Sequence, residues 1–330
     1  MRINMTHGSG GISTRDLIKD VFAKKLGNNI LNRMEDAAVL QMDLKSSGRM
    51  AYTTDSFVVT PLFFKGGDIG RLAVCGTVND LLSMGAIPKY LSAGFIIEEG
   101  LPVADLENIV SSMAEALKES GAMLVAADTK VIEGRGGLYI NTSGIGTVHE
   151  SVQPSAYNLE AGDAILLTGT LGDHHACILS HRMEIENNIA SDVAPLVALC
   201  RALFDHGIRV KAIRDITRGG LATVLNELSE ASGCAIHIHQ ESIPVREDVA
   251  SLCGILGLDP LYMGNEGKMV ICVSQNDVKK ALELIQHAAY GKRSQIIGQC
   301  REGQGVFLNT TSGVSRVLHA LYGEGLPRIC

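Results

Sequence analysis

Five aspartates indicate the chemistry to look for. They stand in Asp36-Ala37-Ala38-Val39, Thr54-Asp55-Ser56-Phe57, Asn79-Asp80, Asp128-Thr129-Lys130 and Asp215-Ile216-Thr217-Arg218-Gly219-Gly220. A single such carboxylate is ordinarily a helix cap or a solvated charge. Together they are more than a phosphate needs unless they hold magnesium, which takes oxygen ligands, keeps waters and shares nucleotide phosphates with carboxylates. Arg218 and the glycine pair behind Asp215 suit a phosphate at a helix N-terminus. No Gly-Lys-Ser/Thr motif is present, so an ATP site here is not a P-loop. Glu266, between Asn265 and Gly267, can approach a ligand closely. The sequence also ends on a thiol. Gly323, Gly325 and Pro327 disfavour a helix, so the last eight residues read as a short arm able to bring Cys330 to a distant pocket. The plainer reading is a frayed end that stops at cysteine.

Composition narrows the partners. With 46% hydrophobic and 20% charged residues, 330 residues can bury a large core in two domains. The absence of tryptophan and the 36 glycines point to an α/β protein rich in tight loops rather than a stacking surface. A net charge of −7 without a basic stretch gives nucleic acid no electrostatic footprint. No membrane segment is expected, since no run of about eighteen apolar residues occurs, and the expected location is the cytoplasm. No two of the eight cysteines form a CxxC clip, and all but Cys330 lie in apolar or mixed segments, the pattern of reduced buried thiols.

Several elements must position these residues. A helix is predicted from Ser13 to Lys25, and another from Asp68, its N-cap, to about Met84, stopped by Gly85 and Pro88. That second helix places Ala73, Gly76 and Asp80 in a small-small-acid stripe. Pro102 to Ser120 carries an apolar face ending at Gly121. Strands are predicted over Met50–Asp55, Met123–Ala127, Leu138–Val148, Asp163–Thr168 and Met269–Val273, with Asp128-Thr129-Lys130 leaving the end of its strand. His174-His175 reads as loop polarity, because adjacent histidines rarely converge on one ion. The divisions are 1–34 (mobile arm and helix), 35–150 (N-terminal ATP-binding α/β domain), 160–322 (C-terminal α/β domain) and 323–330 (flexible tail).

The aspartate motifs resemble the ATP site of the aminoimidazole ribonucleotide synthetase superfamily. Within it the chain closely resembles the carbamoyl dehydratases of hydrogenase maturation. The likeness runs from His7-Gly8-Ser9-Gly10-Gly11 through Asp128-Thr129-Lys130-Val131 and Asn265-Glu266-Gly267-Lys268 to Pro327-Arg328-Ile329-Cys330, the most specific of the four. It implies an α/β (α+β) two-domain fold whose N-terminal sheets pair across a homodimer, with ATP and magnesium bound in a cleft. It further implies that a HypF-like carbamoyltransferase loads Cys330. ATP then converts the carbamoyl group to a thiocyanate, and the cyanide passes to the [NiFe]-hydrogenase iron through a HypC–HypD-like scaffold complex.

By resemblance, Cys330, Glu266 as base and Lys130 as cation are catalytic. Thr54, Asp55, Asn79, Asp128 and Thr129 then bind ATP, and Asp36, Asp80 and Asp215 bind metal. Selenophosphate synthetases share the ATP motifs but carry an N-terminal Cys-Lys or selenocysteine-Lys, and no cysteine here precedes Cys75. The ATP motifs are also compatible with a different superfamily synthetase, a small-molecule kinase, or a nucleotide-gated adaptor in metallocentre assembly.

Overall fold

The structure, a computed structural model, describes residues 2–4, 16–29 and 48–321. Asp36, Cys330 and the 7–11 arm lie outside them, as does the start of the predicted 13–25 helix. The described part of that helix is a π-helical turn, Ile18–Ala23, running into Lys24–Leu26.

Residue-by-residue alternation of burial builds the first sheet. It runs through Met50–Phe57 (β1), Ala86–Glu98 (β4) and Leu138–Val148 (β6), as expected where one face is packed and the other is not. The short hairpin of Phe63–Phe64 (β2) and Gly67–Asp68 (β3) lies between β1 and the first long helix. With Met123–Ile132 (β5) the sheet has the order β1-β6-β4-β5, and only β4 and β5 are parallel. Helix Ile69–Ser83 (α1) packs against β1, β6 and β4, and Val103–Ser120 (α2) against α1 and β5. On the opposite face Met50, Tyr52, Ile96 and Ile132 are exposed.

The second sheet has seven strands in the order β13-β12-β9-β11-β7-β10-β8. These are Ala164–Leu167 (β7), Val210–Asp215 (β8), Ala235–His239 (β9), Met269–Val273 (β10), Gln295–Arg301 (β11), Val306–Asn309 (β12) and Ser315–Val317 (β13). Only β12 and β9 are parallel. The interior strands β7 and β10 are buried at every residue, as their unbroken apolar runs require. The helices of this half are Asp173–Arg182 (α3), Val197–Asp205 (α4), Gly220–Ser232 (α5), Glu247–Leu256 (α6) and Val278–His287 (α7). One apolar cluster joins the halves, from Phe57 and Leu72 to Val193, Ala194, Leu196 and Met263.

Four expectations change. β4 was not foreseen, because Gly85 and Pro88 read as stops; Pro88 is accommodated at a register shift between Pro88 and Tyr90. β1 and β5 run past their predicted ends, so Asp55 and Asp128-Thr129-Lys130 lie inside strands. His174 and His175 are not loop residues but buried groups in the first turn of α3, with ring nitrogens lowered to about 4 chiefly by burial. Gly76 of the small-residue stripe does not leave its space to a ligand alone: a Cβ there would lie 2.7 Å from the Phe57 ring. The seven described cysteines are free and buried. Burial pushes Cys200 and Cys300 up to about 12 and Cys253 to about 11. No helix among the described residues is long and apolar enough to cross a membrane.

Candidate active site

The residues that converge come from both halves. β1 and its exit supply Thr54, Asp55, Ser56, Phe57 and Val58, while α1 supplies Leu72, Gly76 and Asp80. The end of β8 and the turn after it supply Asp215, Thr217 and Arg218, and the turn before β10 supplies Glu266. They line a cavity of about 570 Å3. Gly76 and Asp80 share a helix face because they are four residues apart. The direction of α1 is set at its start, where the Asp68 carboxylate accepts from the N–H groups of Gly70 and Arg71 at 2.7 and 3.0 Å. Gly219 and Gly220 take φ of +78° and +63°. A Cβ on Gly220 would also lie 2.5 Å from the Tyr262 carbonyl carbon, so this turn into α5 requires glycine.

Four acids share this space with one guanidinium. Asp80 is pushed up to about 6 by burial and then by the charge of Asp215, and the Thr53 hydroxyl donating at 2.9 Å offsets only part of this. Burial raises Asp55, against a bond from the Ser56 N–H at 2.7 Å and the charge of Arg218. Burial likewise raises Asp215, against the Thr217 hydroxyl. Glu266 is held well above its usual range by burial and then by Asp192, Asp215, Asp55 and Asp80. Desolvated carboxylates that repel one another and offer only oxygen suit a hard divalent cation. Among the described residues no three His, Cys, Asp or Glu side chains close on one metal position. An ion here would complete its shell with phosphate and water.

The remaining expected site residues lie elsewhere. Asn79 faces away from the cavity: its amide donates to the Ala194 carbonyl and accepts from the Leu196 N–H, both at 3.0 Å. It ties α1 to the segment before α4. Asp128 and Lys130 lie on the uncovered sheet face and pair with each other at 3.1 Å while about 70% exposed (73% and 69%). The register aligns Thr129 with Phe95 and Ile140, on the opposite side of the sheet from Asp128. β5 and β1 are the two edges, three strand spacings or about 14 Å apart. The Asp128-Thr129-Lys130 group therefore does not line this cavity.

Two further residues take part in the site's architecture. Arg218, read from the Asp-Ile-Thr-Arg-Gly-Gly motif as suited to a phosphate, is the cavity's guanidinium. Asp192, whose carboxylate accepts from the Glu266 N–H at 3.1 Å, lies in an irregular segment with no sequence signal.

The fold and the acid-lined cleft define a class. Residues 34–148 match the family described as AIR synthase related protein, N-terminal domain, and residues 160–310 its C-terminal domain. The full length resolves this further. The chain is 44% identical over 335 residues to the carbamoyl dehydratase HypE of Escherichia coli K12, covering 99% of both, and 44% identical to that of Azotobacter vinelandii, covering 99% and 97%. A crystal structure of HypE in complex with ATP superposes with a TM-score of 0.94 at 41% identity, covering 99% of both chains. The HypE chain of a HypE–HypF complex gives a TM-score of 0.81 at 48% identity, covering 92% and 99%. The chain belongs to the HypE carbamoyl dehydratase family.

Proposed function

We propose that the chain is an ATP-dependent carbamoyl dehydratase that acts on its own Cys330. The observation that carries this reading is the convergence of Asp55, Asp80, Asp215 and Glu266 on one cleft, in a chain whose sequence ends on a thiol. The names of its relatives and the ATP-bound relative support it. The tail at 323–330 carries the substrate to a cleft between the domains at 35–150 and 160–322.

The substrate is a carbamoyl thioester, Cys330–S–C(=O)–NH2. Its amide oxygen attacks the γ-phosphorus of ATP, ADP leaves, and one N–H proton is lost, giving a phosphorylated imidate. The second N–H proton then departs as the C–O bond breaks. The products are inorganic phosphate and Cys330–S–C≡N. An amide oxygen leaves poorly and a phosphate well, which is why ATP is needed. Glu266 is the base: a carboxylate held above its usual range takes a proton more readily once ionised. Thr54 and Asp55 hold the nucleotide from β1, with Arg218 close to its phosphates. Asp80 and Asp215, with Asp36, are the magnesium ligands, and the bound ion supplies neutralisation of the phosphate charge. The exposed position of Asp128 and Lys130 fits a role across a homodimer in which the open sheet faces pair, so that Lys130 offers its ammonium to developing charge. Asn79 contributes by fixing the helix that bears Asp80.

The reaction takes place in the cytoplasm. A HypF-like carbamoyltransferase loads Cys330, as the HypE–HypF complex of a relative suggests. A HypC–HypD-like scaffold accepts the cyanide destined for the [NiFe]-hydrogenase iron. Intact mass after incubation with a carbamoyl-donor system and ATP tests this against Cys330→Ala. A carbamoyl-sized gain that falls by one water only with ATP is expected in the wild type alone. No adduct beside an active transferase would return the cleft to a small-molecule kinase or synthetase.

A further inference from the structure

The turn that presents Glu266 is gripped from behind. Asp192, with its side chain only 2% exposed, accepts from the N–H groups of Glu266 and Gly267 at 3.1 and 3.4 Å and pairs with the Lys268 ammonium at 3.2 Å. Both faces of that contact are close: a Cβ on Gly267 would lie 1.9 Å from the Asp192 carbonyl oxygen. The segment bearing Asp192 is itself fixed. The Lys65 carbonyl accepts at 2.7 Å from the Ser191 N–H, and Asn79 of α1 bonds both Ala194 and Leu196. The Asn79 amide also reaches the Glu266 carbonyl at 3.4 Å.

We propose that Asp192 is a positioning residue for Glu266. Its buried carboxylate holds three consecutive residues, 266 to 268, and so sets the backbone from which the Glu266 side chain enters the cavity. Burying an ion pair rarely stabilises a fold more than apolar packing would. Here the carboxylate holds the peptide groups on either side of Glu266, and a proton transfer depends on a base fixed to within a fraction of an ångström. The same segment bonds, through Asn79, to the helix that bears Asp80. Asp192 thus sets one acid of the cleft against another across the two halves.

The inference rests on Glu266 being the base, and a double-mutant cycle separates the two claims. Carbamoylated protein is followed by intact mass through a single turnover, with ATP binding measured by calorimetry. Asp192→Ala is expected to slow dehydration about 10- to 100-fold while ATP affinity stays within about twofold, because misplacement alone costs rates of this size. Asp192→Asn keeps an acceptor for one N–H and should lose less; it also serves if the alanine variant does not fold. In a Glu266→Asp background, where the carboxylate is already displaced, the Asp192→Asn penalty should shrink to less than half its value in the wild type. Losses that multiply fully, or that follow ATP affinity, would make Asp192 a structural residue and overturn the proposal. Full turnover by Glu266→Gln would instead remove the base, and the positioning role with it.

Discussion

The two faces of the N-terminal sheet carry the same functional group to opposite effect. On the covered side, Asp55 of the sheet meets Asp80 of α1 beside Asp215, and burial raises both. On the open side, Asp128 stands on a strand of the same sheet, 73% exposed and paired with Lys130. Water screens the second and not the first. A carboxylate is readied for a cation by what has been taken away from around it, and motif residues of equal standing in the sequence can differ completely in this respect.

Breaking the covered side should have the largest effect. Asp80→Asn is expected to slow ATP-dependent dehydration by at least about 100-fold, as removal of a preorganised charge does, with the loss read from initial rates at saturating magnesium. The same change should stabilise the empty protein. A carboxyl raised from 3.8 to about 6 is more readily protonated folded than unfolded. Ionised Asp80 therefore opposes folding above pH 6, and that penalty fades as pH falls towards 3.8. Denaturant unfolding should find Asp80→Asn more stable than wild type by on the order of 2–3 kcal/mol at pH 7.5, with the gap closing near pH 4. A gap that does not depend on pH would show that Asp80 is not desolvated as described.

Gly76→Ala tests the packing beneath that acid. Alanine ordinarily favours a helix, but here its methyl would meet the Phe57 ring, so a net loss of about 1–3 kcal/mol is expected in thermal unfolding. The open side should give the smallest change in stability. Lys130→Ala should move unfolding by no more than about 0.5 kcal/mol, since its ion pair is solvated. Turnover should nevertheless fall, and a Lys130→Ala protein that is fully active would leave the open face without a part in the reaction.

Much of this was legible in the sequence where local chemistry decides. Asp68 as a cap and Gly85 as a stop bracket α1, and the β6 and β10 boundaries are those expected from their apolar patterns. Asp55, Asp80, Asp215 and Glu266 stand in short motifs, and the structure brings them to one cavity. What could not be read depends on partners distant in sequence. Pro88 is tolerated only because a register shift leaves room for it, and nothing in its neighbours announces that. Asn79 looks like a ligand beside Asp80, yet its amide is occupied by residues more than a hundred positions away. Asp192 has no motif, and its importance appears only when the 266–268 turn lies against it. Lys130 was placed at a strand end, whereas the strand continues to Ile132 and carries it across the sheet from β1.

The buried cysteines bear on labelling as well as packing. Thiols held near 11 to 12, as Cys253, Cys200 and Cys300 are, carry almost no thiolate near neutrality, and Cys75 and Cys272 are pushed up in the same direction. Electrophiles attack thiolate rather than thiol. These five core sulfurs are thus poor targets for an electrophilic reagent given to the folded chain.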